Sequence, residues 1–408
     1  MTTATEGPAL VKADQTRNLV LATWAFAISF WAWNMIGPLA GRYAVDMDLS
    51  ATQKSFLVAV PVIVGSLGRI AAGTLTDRFG GRLLFTVLLV MTAPFVVLVA
   101  VAGEANSYPL MILFGFFLGI GGTTFAVGIP TVKAWFEKPR QGFATGLFGA
   151  GMGGTALSSF FTPRFVENFG YVTTHVIIAV ALLVTAAICW AFMRDSPRWT
   201  PSTEPAGPKL ASALKEPVTW QMAILYAVTF GGFVAFSTYL PTYLGDVVTY
   251  GYDLTEAGER TAGFAIAAVI ARPIGGTLSD KVGPRLVTII SLAGAAVMAV
   301  VLALRPEPEW PAGISFVLMA AFLGLGSGSV FAWVAQRAPA DKTGSVTGLV
   351  GAAGGLGGFF PPLVMGATYN EEDQTYTIGL LLLCVTAVAA LLFTVFGLRE
   401  RTGGRRKA

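Results

Sequence analysis

The stretch Gly68-Arg69-Ile70-Ala71-Ala72-Gly73-Thr74-Leu75-Thr76-Asp77-Arg78-Phe79-Gly80-Gly81-Arg82 returns 203 residues later as Ala271-Arg272-Pro273-Ile274-Gly275-Gly276-Thr277-Leu278-Ser279-Asp280-Lys281-Val282-Gly283-Pro284-Arg285. Seven of the fifteen positions are identical, and an arginine holds the second place in both copies. An apolar run precedes each arginine. The chain therefore reads as two related halves, each placing one cation inside a membrane helix. A cation in lipid is costly and needs a reason.

Composition points the same way. Of 408 residues, 54% are hydrophobic and 12% are charged, against about 25% charged in a soluble domain. The 48 glycines suit a polytopic helical protein, because small residues let membrane helices approach closely. Cys189 and Cys384 sit inside apolar runs and read as packed thiols, with no disulfide framework and no thiolate metal site. The single histidine, His175, excludes multi-histidine metal chemistry. No metal and no cofactor are expected, and no nucleophile–base pair suggests an enzyme. The chain is polar through Asn18 and lacks a small-residue cleavage site, so the first apolar run is expected to be a retained span.

Apolar runs of spanning length fall near 19–40, 55–76, 83–102, 108–132, 142–163, 172–193, 218–244, 260–279, 286–304, 312–335, 343–367 and 376–397. The expected fold is all-α, with twelve transmembrane helices in two pseudo-symmetric six-helix bundles. The bundles would occupy 1–193 and 218–398, joined by a Pro- and Ser-containing linker, 194–217, and followed by a basic tail, 399–408. The N-terminus, the even-to-odd loops and the tail (Arg401, Arg405, Arg406 and Lys407 among it) hold 20 of the 27 Lys and Arg residues. The opposite loops hold Arg42, Lys54, Arg164, Arg260 and Arg305. The positive-inside rule then places both termini and the linker in the cytoplasm. The basic tail fits a membrane surface better than nucleic acid.

The repeat is parallel. Spans four and ten share Phe117-Leu118-Gly119-Ile120-Gly121 and Phe322-Leu323-Gly324-Leu325-Gly326. Spans five and eleven share Gly142-x-x-Thr145-Gly146-Leu147-x-Gly149-Ala150 and Gly344-x-x-Thr347-Gly348-Leu349-x-Gly351-Ala352. Two bundles related by an axis along the membrane normal describe the major facilitator architecture. The loop signature of that superfamily resembles Gly73 to Arg82, including Gly73, Asp77, Arg78, Gly80 and Arg82. A degenerate second copy has Gly276, Asp280, Lys281, Gly283 and Arg285, with Pro284 replacing a glycine. Asp77 and Asp280 end their helices, where pairing with basic groups would bias an outward-open state.

All 23 acidic residues assign to loops or helix ends, Glu371, Glu372 and Asp373 among them. Arg69 and Arg272 each lie eight residues before their aspartate, about 12 Å up the helix. Two mid-membrane arginines without a carboxylate imply an anion that comes and goes. The guanidinium fork suits a planar oxyanion. The alternative is that each arginine bonds helix carbonyls and only ties helices together. Phe125 in span four and Tyr226 and Phe230 in span seven could wall such a site, or could be ordinary packing.

Span five carries Gly146, Gly149, Gly151, Gly153 and Gly154, and span eleven carries Gly351, Gly354, Gly355, Gly357 and Gly358. Neither run is followed by the Gly-Lys-Ser/Thr of a phosphate loop. Both closely resemble the paired signatures of the nitrate/nitrite porter family (NarK/NasA type). So do Lys138-Pro139-Arg140-Gln141-Gly142 and the span-seven run Leu225 to Phe233. The resemblance implies that Arg69 and Arg272 grip the anion, that Phe125, Tyr226 and Phe230 line the pocket, and that nitrate and nitrite are the substrates. It also implies a prokaryotic cytoplasmic (inner) membrane location and function as a monomer among lipids, with no nucleic-acid partner. Gly154 stands where the family usually has asparagine. The expected mechanism is alternating access, with nitrate/nitrite exchange preferred because no mid-span Asp, Glu or His exists to carry a proton. Proton-coupled symport, transport of another oxyanion and a non-transporting anion sensor are the alternatives.

Overall fold

The duplicated stretch occupies two helices of equal length, Ala51–Phe79 and Leu254–Val282, each of 29 residues. Both start on a capping box: Ser50 with Gln53, and Asp253 with Glu256. Each box satisfies two otherwise orphaned helix donors. Both helices stop at a glycine with positive φ, Gly80 at 84° and Gly283 at 93°, a conformation that side chains resist. The 203-residue offset of the sequence repeat thus reappears in start, length and stop.

The computed structural model describes residues 8–203, 205–246, 250–339, 342–370, 372 and 375–398. Glu371, Asp373 and the tail 399–408 lie outside the described residues. Around the paired helices run Pro8–Trp33 continued by Ile36–Asp46, then Gly81–Glu104, Tyr108–Trp135, the rod 138–169, and Tyr171–Phe192. The second half repeats the order with Pro217–Leu244, Pro284–Ala303, Trp310–Arg337, Thr343–Ala367 and Thr377–Gly397. These twelve rods are called spans one to twelve below, and the fold is the two-bundle major facilitator arrangement.

Three features differ from the sequence reading. Among the described residues, eleven helices are long and apolar enough to cross a membrane, not twelve. The exception is span five, made of Lys138–Gly149, a 3-10 segment Ala150–Gly153, and Gly154–Phe169. Glycine, serine and threonine dilute its apolar content, and it carries Arg140, Arg164 and Glu167. Its middle packs against span one: a Cβ on Gly151 would stand 2.4 Å from the Phe26 ring, and one on Gly154 2.0 Å from the Ala27 carbonyl. Span one starts earlier than the hydropathy suggests, the helix running from Pro8. The linker also contains a helix, Ala206–Leu214.

The two bundles meet unequally at their two ends. Away from the duplicated loops, backbones cross at close range. A Cβ on Gly37 would stand 2.5 Å from the Thr238 carbonyl, and one on Gly258 2.2 Å from the Ser159 carbonyl. Ser55 Oγ donates to Tyr239 Oη across the bundles (2.9 Å), and the Arg164–Glu259 ion pair joins spans five and eight. At the loop end, Cβ atoms added to Gly73, Gly142, Gly146, Gly149, Gly344 or Gly348 would meet nothing within 4 Å. Spans two, five and eleven therefore face open space at that end and packed protein at the other.

Candidate functional site

Arg69 is buried, 1% exposed, in the middle of span two. Its Nε donates to the Gly122 carbonyl (3.3 Å) and its Nη1 to the Gly351 carbonyl (2.9 Å). Gly122 belongs to a 3-10 segment, Gly119–Thr123, inside span four. Departures from regular α-helical bonding free carbonyls for side chains. The Nη2 atom is buried and makes no hydrogen bond. Arg69 thus ties helices through two carbonyls, one of them in the opposite bundle, and keeps one donor over.

Arg272 is half-buried in span eight. Its Nη1 donates to Met152 Sδ (2.8 Å) in the 3-10 segment of span five, and its Nη2 to Tyr226 Oη (2.9 Å). Neither guanidinium presents the complete open fork that the sequence suggested, because carbonyl, thioether and phenol groups occupy part of each.

The two cations share one aromatic wall. The Arg69 Cζ lies 5.0 Å from the Phe125 centroid and 5.3 Å from that of Phe230. The Arg272 Cζ lies 5.6 and 5.4 Å from the same two rings. Phe125 and Phe230 stack at 6.0 Å across the bundles, and Tyr226 stacks on Phe230 at 4.8 Å with an interplanar angle of 2°. Ring faces attract cations by about 0.5–2 kcal/mol each, which offsets part of the desolvation cost. Among the described residues no ion pair includes either arginine, and the electrostatic neighbours of Arg69 are Tyr226 and Arg272 itself. The five residues singled out from the sequence therefore converge on one place.

Glycine explains how the wall is held. A Cβ on Gly354 would stand 2.0 Å from the Tyr226 ring, and one on Gly357 2.1 Å from the Ala227 carbonyl. Span eleven lets span seven cross it at backbone distance and so presents Tyr226 to Arg272. Gly355 lies against Ser66 and Arg69, and Gly358 against Val234. Gly149 and Gly153 face open space, and Gly154 packs on span one, where a larger side chain would force the helices apart. A cavity of about 150 Å³ runs from Arg69 and Phe125 past Gly73, Gly348 and Gly351 to Asp77 and Lys133 at the loop end.

The duplicated loops do a different job from the central site. Arg82 donates through Nε and Nη2 to the Trp190 carbonyl (2.9 and 2.6 Å). Arg285 donates through Nε to the Thr394 carbonyl (3.3 Å) and through Nη2 to that of Val395 (2.6 Å). In each half, span three or nine thereby caps the end of span six or twelve, where carbonyls lack partners and the helix dipole favours a cation. The Asp77 carbonyl accepts from the Ser202 amide (2.9 Å), while Arg78 lies over the Phe79 ring. Asp280 and Lys281 are exposed, and a Cβ on Gly276 would stand 3.8 Å from the Gly328 carbonyl.

Three residues escaped the sequence reading. Phe331 packs on Tyr226 (4.6 Å) and lies under Arg272 (5.4 Å); the repeat offset between spans four and ten brings Phe125 within one residue of it. Met152 was legible only as part of a glycine-rich run. Asp195, just past span six, accepts from the Gly81 and Arg82 amides (2.7 and 3.2 Å) and caps span three. An acid beside a helix N-terminus is favoured there, but nothing in the sequence pairs 195 with 81.

The Major Facilitator Superfamily model matches residues 22–362 and 248–408. The chain is 56% identical over 387 residues to a protein of Mycobacterium tuberculosis named as a probable nitrate/nitrite transporter, NarK2, covering 95% of this chain and 97% of that one. It is 33% identical to a nitrite extrusion protein of Bacillus subtilis, over 93% of each chain. It is 36% identical to a probable nitrate/nitrite antiporter, NarK1, of Thermus thermophilus, over 86% and 85%. A crystal structure of a bacterial homologue of the human lysosomal transporter Spinster, in an inward-facing and occupied conformation, matches with a TM-score of 0.68, covering 94% of this chain and 95% of that one. At 17% identity that likeness bears on the fold alone. With these relatives and this fold, the chain belongs to the nitrate/nitrite transporter family of the major facilitator superfamily.

Proposed function

We propose that this protein exchanges nitrate and nitrite across the cytoplasmic membrane by alternating access, with one anion bound at a time between Arg69 and Arg272. The observation that carries the reading is the shared wall: two guanidinium groups face the same Phe125–Phe230 pair and, among the described residues, neither forms an ion pair with a carboxylate. Like charges in a low-dielectric setting repel, and a small oxyanion would neutralise both. Flat aromatic faces suit a flat anion and exclude water. The loop end, taken as cytoplasmic from its basic residues, is the open one, so the molecule stands with its cavity toward the cytoplasm. The bundles 1–193 and 218–398, joined by 194–217, would rock as bodies about the central site, each unit working as a monomer.

Binding and movement are linked through Arg69. In this conformation its Nη1 holds the Gly351 carbonyl of span eleven. An anion competing for that donor would loosen span two from span eleven and let the glycine-rich loop-end halves close. Without an anion the two cations oppose closure, so return is slow and exchange is obligatory. Counterflow tests this: proteoliposomes loaded with nitrite should accelerate nitrate entry, and equal entry into unloaded vesicles would overturn the exchange reading.

A further inference from the structure

Arg69 and Arg272 each hold the opposite bundle through Nη1, but the two partners differ in strength. Arg69 Nη1 donates to the Gly351 carbonyl of span eleven (2.9 Å), and Arg272 Nη1 to Met152 Sδ of span five (2.8 Å). A backbone carbonyl is a strong acceptor, whereas a thioether sulfur is a weak one. Met152 is buried, 1% exposed, in the 3-10 segment Ala150–Gly153. Glycines stand at 151, 153 and 154, so it is the one side chain that this part of span five offers to Arg272. Its unbranched stem has several rotatable bonds and adapts readily to a changed neighbour. The other nitrogen, Arg272 Nη2, donates to Tyr226 Oη (2.9 Å), and that ring stacks on Phe230. The Arg272 guanidinium is therefore anchored at one nitrogen and loosely held at the next.

We propose that Met152 is a positioning residue whose sulfur holds Arg272 Nη1 between transport events and yields that donor to the arriving anion. This rests on the two-arginine reading above. The net gain on binding is the new hydrogen bond less the one displaced. An anion oxygen taking Arg272 Nη1 displaces a sulfur, which costs less than displacing a carbonyl from Arg69. Tyr226 keeps Nη2 meanwhile, so the guanidinium does not turn away as Nη1 changes partner. Arg69 adds Nη2, its nitrogen without a hydrogen bond. Release of the sulfur also unties span eight from span five, so the same exchange of partners that binds the anion removes a tie between the bundles.

The test is calorimetric titration of the purified full chain with nitrate and with nitrite, in wild type, Met152→Asn, Met152→Thr and Met152→Leu. Asparagine sets a carbonyl oxygen as many bonds from the backbone as the sulfur, and so gives Arg272 Nη1 a partner that does not yield. Threonine is close to asparagine in size and also polar, but its oxygen stands one atom nearer the backbone. Leucine keeps the bulk of methionine and accepts nothing. We expect Met152→Asn to lose at least about 10-fold in affinity for both anions, the scale of a hydrogen bond to a charged group. Met152→Thr and Met152→Leu should stay within about threefold of wild type, since neither competes for Nη1. Wild-type affinity in Met152→Asn would overturn the proposal. So would a comparable loss in Met152→Leu, which would make the sulfur a permanent anchor, or in Met152→Thr, which would trace the effect to packing. If wild type binds neither anion, the two-arginine reading itself fails; if wild type binds both and Met152→Asn matches it, that reading stands and Met152 alone is excluded.

Discussion

Replacing Gly348 by alanine should slow transport without weakening binding. Gly348 lies in the loop-end half of span eleven, where an added Cβ meets nothing within 4 Å. In this conformation the extra methyl is free of strain. Alanine is a better helix former by up to ~1 kcal/mol, but span eleven is helical in either state, so that gain cancels. The cost appears when the loop end closes. The closed end of the present structure shows what closure demands: a Cβ on Gly258 would stand 2.2 Å from a carbonyl in span five, and one on Gly366 2.2 Å from Ser55 Oγ. Overpacking of that kind costs about 1–3 kcal/mol. Placed on one of two conformations, it shifts their ratio by roughly 5- to 150-fold. Nitrate–nitrite counterflow should fall by that factor, while the dissociation constant for nitrate in detergent stays within about twofold. A thiol at position 347, which lines the cavity, should label faster in the variant background. Counterflow at the wild-type rate would refute the idea that this open glycine surface is a closing surface.

Gly354→Ala should do the opposite. Its Cβ would stand 2.0 Å from the Tyr226 ring, displacing the phenol that accepts from Arg272 Nη2 (2.9 Å), so nitrate affinity should drop about 10-fold or more, read by titration. Asp195→Asn removes the charge that caps span three through the Gly81 and Arg82 amides. A cap of this kind is worth about 1 kcal/mol, so thermal unfolding should begin a few degrees lower while nitrate binding is unchanged.

Much of this molecule was legible because duplication leaves the same physical marks twice. The 203-residue offset that aligned two arginines also aligned two capping boxes and two positive-φ glycines. The matching position of each arginine along its 29-residue helix followed from counting eight residues to its aspartate. Convergence of Phe125, Tyr226 and Phe230 came from family likeness, since helical spacing alone treats each as packing. Span five, read from the sequence as an apolar run at 142–163, is broken by a 3-10 segment and diluted by glycine, serine and threonine, neither of which a run of apolar residues reveals. Asp195, Met152 and Phe331 act across 105 to 206 residues of sequence, and pairings that distant leave no local pattern. Bonding of an arginine to helix carbonyls was the stated alternative, and Arg69 does so; the sulfur and phenol partners of Arg272 left no sign in the sequence.

The central claim is that the counter-ion of the duplicated arginines is the transported anion. Counterflow of labelled nitrate into nitrite-loaded proteoliposomes, run on wild type, Arg69→Lys and Arg272→Lys, tests it most directly. A lysine keeps the charge and loses the planar donor set. The account predicts nitrite-driven uptake in wild type and uptake reduced to the protein-free background in both variants; nitrite-driven uptake at the wild-type rate in either variant would contradict it.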